Sequence, residues 1–219
     1  MPVTINGDGS IAGLAVGGLP NGSVDADTLA SNAVTTAKLH NDAVTASHMP
    51  TGSVIQTVQH NFTTGNFTTT SNSYVDITGF SQAITPLAAS SKILVILSAS
   101  ISASPHGTYN GQVGVSVNRS IAGGSYTAVA SQMPGNYVQE TYVSYHHESM
   151  NITFLDSPSY SLGNAITYKM QMKSADTSVT SACYTQMGGV ANGTSKLLLL
   201  EIASLVNLIL HIQMVIRLS

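Results

Sequence analysis

Charge is scarce in this sequence. Only 8% of its 219 residues are charged, against about 25% in an average globular domain. A monomer with so little scattered charge is poorly protected from association, so much of the surface is expected to be committed to other chains. The net charge of -3 and the seven Lys and Arg residues supply no basic field, which argues against nucleic-acid binding through phosphate neutralisation. Cysteine is almost absent. Cys183 stands alone, which excludes an intrachain disulfide and a cysteine-rich zinc site; its expected role is that of a small buried apolar residue. The opening Met1-Pro2-Val3-Thr4 lacks the basic and apolar blocks of a secretory signal.

Catalytic motifs are missing as well. Ten acidic residues and seven histidines are present. They form no Gly-x-Ser-x-Gly elbow, no glycine loop followed by Lys-Ser/Thr, and no His-Glu-x-x-His. The one dense titratable cluster is His146-His147-Glu148. Neighbours on a strand point to opposite faces, so the two histidines do not readily share an ion. His146 and Glu148 do share a face, and metal ligation is the alternative to a solvent-facing or interfacial role. His211 would gather an ion only where three copies met on an axis. Asp76, Glu140, Glu148, Asp156 and Asp176 are scattered, and no spacing singles out the carboxylate pair that glycoside cleavage needs. No enzymatic activity and no cofactor or metal are expected.

What the sequence does contain is a ten-residue repeat. It reads Val24-Asp25-Ala26-Asp27-Thr28-Leu29, then Val34-Thr35-Thr36-Ala37-Lys38-Leu39, then Val44-Thr45-Ala46-Ser47-His48-Met49. Each unit offers two sizeable apolar side chains. Repeats this poor in core material become stable by stacking or by winding around identical chains. Val24, Leu29, Val34, Leu39, Val44 and Met49 are therefore expected in an oligomer interface. Before the repeats, Gly7-Asp8-Gly9 and Gly17-Gly18-Leu19-Pro20-Asn21-Gly22 are turn signals that exclude a long helix. After them, Met49-Pro50-Thr51-Gly52 marks a boundary.

From Ser53 onward the pattern is that of strands. Val113, Val115 and Val117 alternate with polar or small residues, as do Met150, Ile152 and Phe154, and Ile166, Tyr168, Met170 and Met172. Strict period two marks strands with one buried and one wet face. Further strands are expected at 54–60, 74–78, 125–130, 137–147 and 179–187. Many short strands with turn-rich connections predict an antiparallel β-sandwich of jelly-roll-like type. Two strands are apolar on both faces, Ile93-Leu94-Val95-Ile96-Leu97 and Leu197-Leu198-Leu199-Leu200. One face of a sandwich strand meets the core and the other should meet water, so Leu94, Ile96, Leu198 and Leu200 need a second cover. A subunit interface around a three-fold axis is the economical choice, and another layer of the same chain is the rival. At the end of the chain, Val206, Leu208, Leu210, Ile212, Met214, Ile216 and Leu218 alternate with Asn207, His211, Gln213 and Arg217. That is strand periodicity, and those polar residues would be expensive in lipid, so an added strand or arm is expected rather than membrane insertion, with a short helix as the alternative because Ile209 and Val215 blur the pattern.

For binding, Tyr109, Tyr126, Tyr137, Tyr142 and Tyr145, with His146, fall in or near segments rich in Asn, Gly and Ser. Tyrosine offers a flat apolar face with a polar tip, suited to shallow contact with sugars or proteins. These six residues are the candidate receptor contacts, with core or interface packing as the alternative for each tyrosine.

The segment Ala33-Val34-Thr35-Thr36-Ala37-Lys38-Leu39 with Ala43-Val44-Thr45 resembles repeats of bacteriophage tail-fibre and related virion fibre proteins. Gly13-Leu14-Ala15-Val16-Gly17-Gly18-Leu19-Pro20 looks like the same type of lead-in. Ser90-Ser91-Lys92-Ile93-Leu94-Val95 and Phe154-Leu155-Asp156-Ser157-Pro158 look like elements of a β-rich fibre module. The resemblance implies an intertwined homotrimeric fibre on the tail or capsid surface. Residues 1–22 would attach to other virion proteins, 23–52 would form the stalk, and 53–203 would form a head that binds a host-surface glycan or protein. Residues 204–219 would add an apolar strand or arm beyond the usual end of such modules near Glu201-Ile202-Ala203. No catalytic residues come with the resemblance. A structural adaptor or head fibre without receptor binding is the alternative, and a polysaccharide depolymerase a more distant one.

Overall fold

The computed structural model describes residues 4–5, 7, 11–12, 29–31, 33–40, 43–63, 65–104, 112–132, 146–184 and 195–204. The chain divides into two compact units, Met1–Ala43 and Val44–Ser219. In the first unit, β1 (Thr4–Ile5) and β2 (Ile11–Ala12) pair antiparallel, with Thr4 opposite Ala12. The repeat at 34–39 carries a single 3-10 turn, Thr36–Lys38, closed by Lys38 N–H donating to the Thr35 carbonyl at 2.9 Å. The repeat at 44–49, in the second unit, carries the same turn at Ala46–His48, closed by His48 N–H on the Thr45 carbonyl at 2.9 Å. Ala33 N–H donates to the Ala30 carbonyl, and ten residues later Ala43 N–H donates to the His40 carbonyl. Over these two described copies the period in the sequence is matched by a period in backbone conformation. It secures no core: Leu29, Val34, Leu39, Val44 and Met49 are between 40% and 63% exposed.

The rest of the second unit is an antiparallel β-sandwich. Its strands are β3 (Val54–Asn61), β4 (Phe67–Thr69), β5 (Val75–Ile84), β6 (Lys92–Ser104), β7 (Val113–Ile121), β8 (Thr127–Gln132), β9 (His146–Asp156), β10 (Ile166–Ser174), β11 (Thr180–Tyr184) and β12 (Lys196–Ile202). One sheet has the order β5-β10-β7-β8. The other is built around β6. A strand has two edges, and β9 occupies one of them from Ile93 to Ala103. On the other edge β12 pairs with 92–98 and β11 with 100–104. These two strands therefore lie end to end, and β3 and β4 pair with them in the same way. Counted so, each sheet is four strands wide, and the chain alternates between sheets in the jelly-roll manner.

Alternation explains the core. Ile93, Val95, Leu97, Ala99 and Ile101 from β6, with Leu197 and Leu199 from β12, face Ile166, Tyr168, Met170 and Met172 from β10 and Val113, Val115 and Val117 from β7. All are buried, whereas their neighbours on β10 and β12 are half-exposed. Among the described residues there is no α-helix, and no helix is long and apolar enough to cross a membrane.

The expected strand at 74–78 runs on to Ile84. Its register against β10 slips between Lys169 and Gln171, and Gly79 sits there at φ 80°. This irregularity shifts the buried set from Ile77 to Phe80, which breaks the two-residue period that sequence reading relies on. The short β4 was not expected at all. Of the strand expected at 137–147, residues 137–145 lie outside the described residues, and β9 begins at His146. Of 179–187, Thr180–Tyr184 is a strand and 185–187 lie outside.

Candidate functional site

The two sheets turn unlike faces outward. On the β6 sheet, Leu198 lies opposite Ile96, and Leu200 opposite Leu94. Leu155 on β9 lies on the other side of Leu94. All five share the outer face, because their neighbours in sequence point into the core. Leu94, Ile96, Leu198 and Leu200, the residues expected in an interface, are half-buried, and Leu155 is 51% exposed. Thr57, Gln59 and Thr153 pair with Leu200, Leu198 and Ile96 and give the patch a polar rim.

The outer face of the β5-β10-β7-β8 sheet is polar and hydrogen-bonded across its full width. Asp76 on β5 accepts from Lys169 Nζ and from Gln171 Nε2, each at 2.7 Å. Gln171 Oε1 accepts from Asn118 Nδ2 at 2.8 Å, and Asn118 also donates to Ser116 Oγ at 3.2 Å. Ser116 then donates to the Ala130 carbonyl on β8 at 3.3 Å. These residues are neighbours only through register: Gln171 lies between Asp76 and Ser116, and Lys169 opposite Asn118. The Lys169 and Gln171 hydrogen bonds hold the Asp76 carboxyl below its ordinary range.

Tyr126, just before β8, joins this ladder. Lys169 Nζ stands 3.8 Å from its ring centroid, and such a cation over an aromatic face is an attractive pair. Toward the other end of the face, Lys173 Nζ lies 5.0 Å from the Tyr74 ring. Gly114 lies beneath: a Cβ there would stand 2.8 Å from Lys173 Cγ and 3.1 Å from the Tyr74 hydroxyl. The Asp76 carboxylate and Tyr126 are exposed, Gln171 and Tyr74 are half-buried, and Asn118 and Ser116 lie buried beneath them. The face offers hydrogen bonds and aromatic area, and no nucleophile beside a base.

The six candidate receptor contacts fare unequally. Tyr126 is on this face. Tyr109, Tyr137, Tyr142 and Tyr145 lie outside the described residues, and His146 is described only as the first backbone position of β9. The sequence did not single out Lys169, Gln171, Asn118 or Tyr74. The signal for the first two was the polar half of the β10 alternation, Thr167, Lys169, Gln171 and Lys173. Of the interface candidates in the repeats, Val24 lies outside the described residues.

Of the scattered acids, Glu140 lies outside the described residues and Glu148 is described only as a backbone position of β9, while Asp76, Asp156 and Asp176 have separate partners. Asp156 faces inward on β9 and accepts from one guanidinium nitrogen of Arg119 at 2.6 and 2.7 Å and from the Tyr168 hydroxyl at 2.7 Å. Arg119 and Tyr168 belong to the opposite sheet, so the trio ties the sandwich together. Burial first, and the Asp156 carboxylate second, push the Tyr168 hydroxyl well above its usual range. Asp176 accepts from Ser178 N–H in a turn. Among the described residues no three His, Cys, Asp or Glu side chains gather to hold a metal. Cys183 is fully buried, with Ser195 Oγ 3.7 Å from its sulfur, and burial pushes its thiol up to about 12. It stays protonated at neutral pH and is no nucleophile.

The fold places the second unit among jelly-roll β-sandwiches. No protein-family model matches the chain, and no curated protein sequence does. Among solved structures, the Eiger TNF of S. frugiperda is similar at a TM-score of 0.38 and 9% identity, covering 69% of this chain and 95% of that one. Infectious bursal disease virus, Gx strain, is similar at a TM-score of 0.28 and 16% identity, over 69% of this chain and 39% of the viral chain. At these scores the likenesses carry no functional argument.

Proposed function

We propose that the chain is a virion fibre subunit whose sandwich head contacts the host surface. The observation that carries the reading is the repeat. The same backbone turn occurs in its two described copies, yet Leu29, Val34, Leu39, Val44 and Met49 remain exposed. Apolar side chains recurring at a fixed spacing in the sequence are best buried by identical chains, which favours an intertwined homotrimer. The aliphatic patch of Leu94, Ile96, Leu198, Leu200 and Leu155 extends the self-association surface onto the head. The opposite face then remains turned outward, and its tyrosines, amides and Asp76 suit a glycan. Three such faces on one trimer, and several trimers on one particle, would multiply weak contacts by avidity.

Light scattering or native mass spectrometry on the full chain tests the association: three times the 22.7 kDa protomer mass is expected, and a monomer overturns the fibre reading. Antibody labelling of particles tests virion placement. Added trimer should compete with particles for host cells, and Tyr126→Ala should weaken that competition. A trimer that labels particles but does not compete identifies a structural component that decorates without recognising.

A further inference from the structure

A cavity of about 410 Å³ opens at the end of the sandwich where the chain enters β3. Its depth comes from small residues. Ala46, Ala88 and Ala89 are half-buried and Ala203 is buried; a methyl group is all that each brings, so they floor the hollow without filling it. Longer aliphatic side chains stand around the mouth, with Met49, Leu87 and Leu162 at 40%, 59% and 58% exposed. Exposed large aliphatic side chains converging on one hollow mark an interaction surface rather than ordinary scatter.

The walls are held by hydrogen bonds of the chain itself. The buried Glu201 carboxylate accepts from the backbone N–H groups of Leu87 and Ala88 and from Gln56 Nε2, at 2.9–3.1 Å. The Tyr160 hydroxyl donates to the Ala88 carbonyl at 2.7 Å and accepts from Ser91 N–H at 2.8 Å. Gly52 N–H donates to the Ala203 carbonyl at 2.8 Å, and Ala203 N–H donates to the Ser53 carbonyl at 2.9 Å. The hollow is therefore prebuilt, and a guest need not organise it.

The lining sets the class of guest. Among its described residues none is charged and none is aromatic. A charged group entering it would lose water without gaining a partner, and a sugar ring would find no aromatic face to lie on. Thr45 pairs its hydroxyl with His48 Nδ1 at 3.0 Å. Thr51 and Ser204 bring hydroxyl groups to an otherwise aliphatic lining. We propose that this cavity binds a medium-chain alcohol, with its alkyl chain over the four alanines and its hydroxyl beside Thr51 and Ser204. Cavities of about 300–1,000 Å³, mostly apolar with a few polar groups, are the usual form of small-molecule sites. A cavity of roughly 150 Å³ takes a benzene ring, so this one takes about sixteen carbons at the same filling, ample for a chain of about eight to twelve. The inference does not rest on the fibre reading.

The test titrates the full chain with straight-chain hexanol, heptanol and octanol, following the methyl signals of Met49, Leu87 and Leu162 by nuclear magnetic resonance. Saturable shifts at these methyls are expected, with affinity rising about fourfold for each added methylene. Octanoate and octylammonium should bind about tenfold more weakly than octanol or worse, because each carries a charge into an uncharged lining. Two variants probe the walls. Leu87→Asp with Leu162→Asp charges the exposed rim, and Ala46→Leu with Ala89→Leu fills the floor. Each pair should lower octanol affinity about tenfold or more, and the rim pair, lying outside the core, should leave the urea midpoint in place. Shifts that do not saturate, shifts gathered on Leu94 and Leu198 instead, affinity indifferent to chain length, or octanoate binding as tightly as octanol overturn the proposal. Rim variants that bind octanol as tightly as the wild type overturn it as well.

Discussion

The two outer faces of the sandwich are built on the same pleat and differ in what the pleat presents. On β6 and β12 the outward positions carry Leu94, Ile96, Leu198 and Leu200, and a sheet face of that kind resembles half of a core. On β10 and β7 they carry Lys169, Gln171, Asn118 and Ser116, bonded to one another and to Asp76. The aliphatic face gains free energy only by meeting another surface. The polar face has already satisfied much of its hydrogen bonding within the chain, so it tolerates water without a further cover. The two faces thus suit different neighbours, an apolar surface on one side and water or a polar group on the other.

The sharpest way to break the comparison is to charge the aliphatic face. Leu94→Asp with Leu198→Asp should reduce the oligomer to protomers in light scattering, because two desolvated carboxylates would each cost several kcal/mol in an interface. The same measurement on Asp76→Ala should show the assembly unchanged. If the polar-face substitution dissociates the assembly and the aliphatic pair does not, the roles of the faces are reversed.

The next effect is on the tie that holds the two faces in one body. Asp156→Ala leaves the Arg119 guanidinium and the buried Tyr168 hydroxyl without their shared acceptor across the sandwich. Breaking a buried ion pair costs about 3–5 kcal/mol. Arg119 keeps some access to water, its side chain being 21% exposed, so about 2–3 kcal/mol is expected in urea unfolding. A loss within 0.5 kcal/mol, on the order of a surface substitution, would mean that core packing alone joins the sheets.

A smaller change sharpens the polar face. Gly114→Ala sets a methyl group against Lys173 Cγ and the Tyr74 hydroxyl. The lysine must shift, at an expected cost of about 1 kcal/mol, and its place over the Tyr74 ring should be lost. Nuclear magnetic resonance of the Tyr74 ring would report the shift, and an unmoved ring signal would show that the two are not packed together in solution.

These contrasts were legible in the sequence to different degrees. The alternation of β7, β10 and the latter half of β9 exposed both the strands and their inward sets, because period two is a local property. The doubly apolar runs likewise marked Leu94, Ile96, Leu198 and Leu200 as needing cover. The bulged β5 was cut short, since an irregularity around Gly79 erases the period on which recognition depends. The polar ladder was invisible for another reason. Asp76 and Lys169 are 93 residues apart, and only strand order and register bring them together. Choosing tyrosines by residue type named Tyr126 but could not name Lys169, which stands over its ring.

The smallest expected effect concerns acid. The folded state depresses the Asp76 carboxyl from its ordinary 3.8, chiefly through the Lys169 hydrogen bond and next through that of Gln171. A depressed carboxyl contributes stability that is fully present above the unfolded value and is lost as pH falls through the folded one. Asp76→Asn removes this contribution and keeps one of the two acceptor oxygens, the one that Lys169 or Gln171 now uses. The wild-type chain should therefore exceed the variant in stability at neutral pH by under about 1 kcal/mol, since the side chain is 54% exposed and water screens the pair. The gap should close as pH falls below about 4, and raising salt at neutral pH should narrow it too. A gap that persists unchanged at acid pH would mean that Asp76 acts through packing, and the ladder would then be a neutral network rather than a charged one.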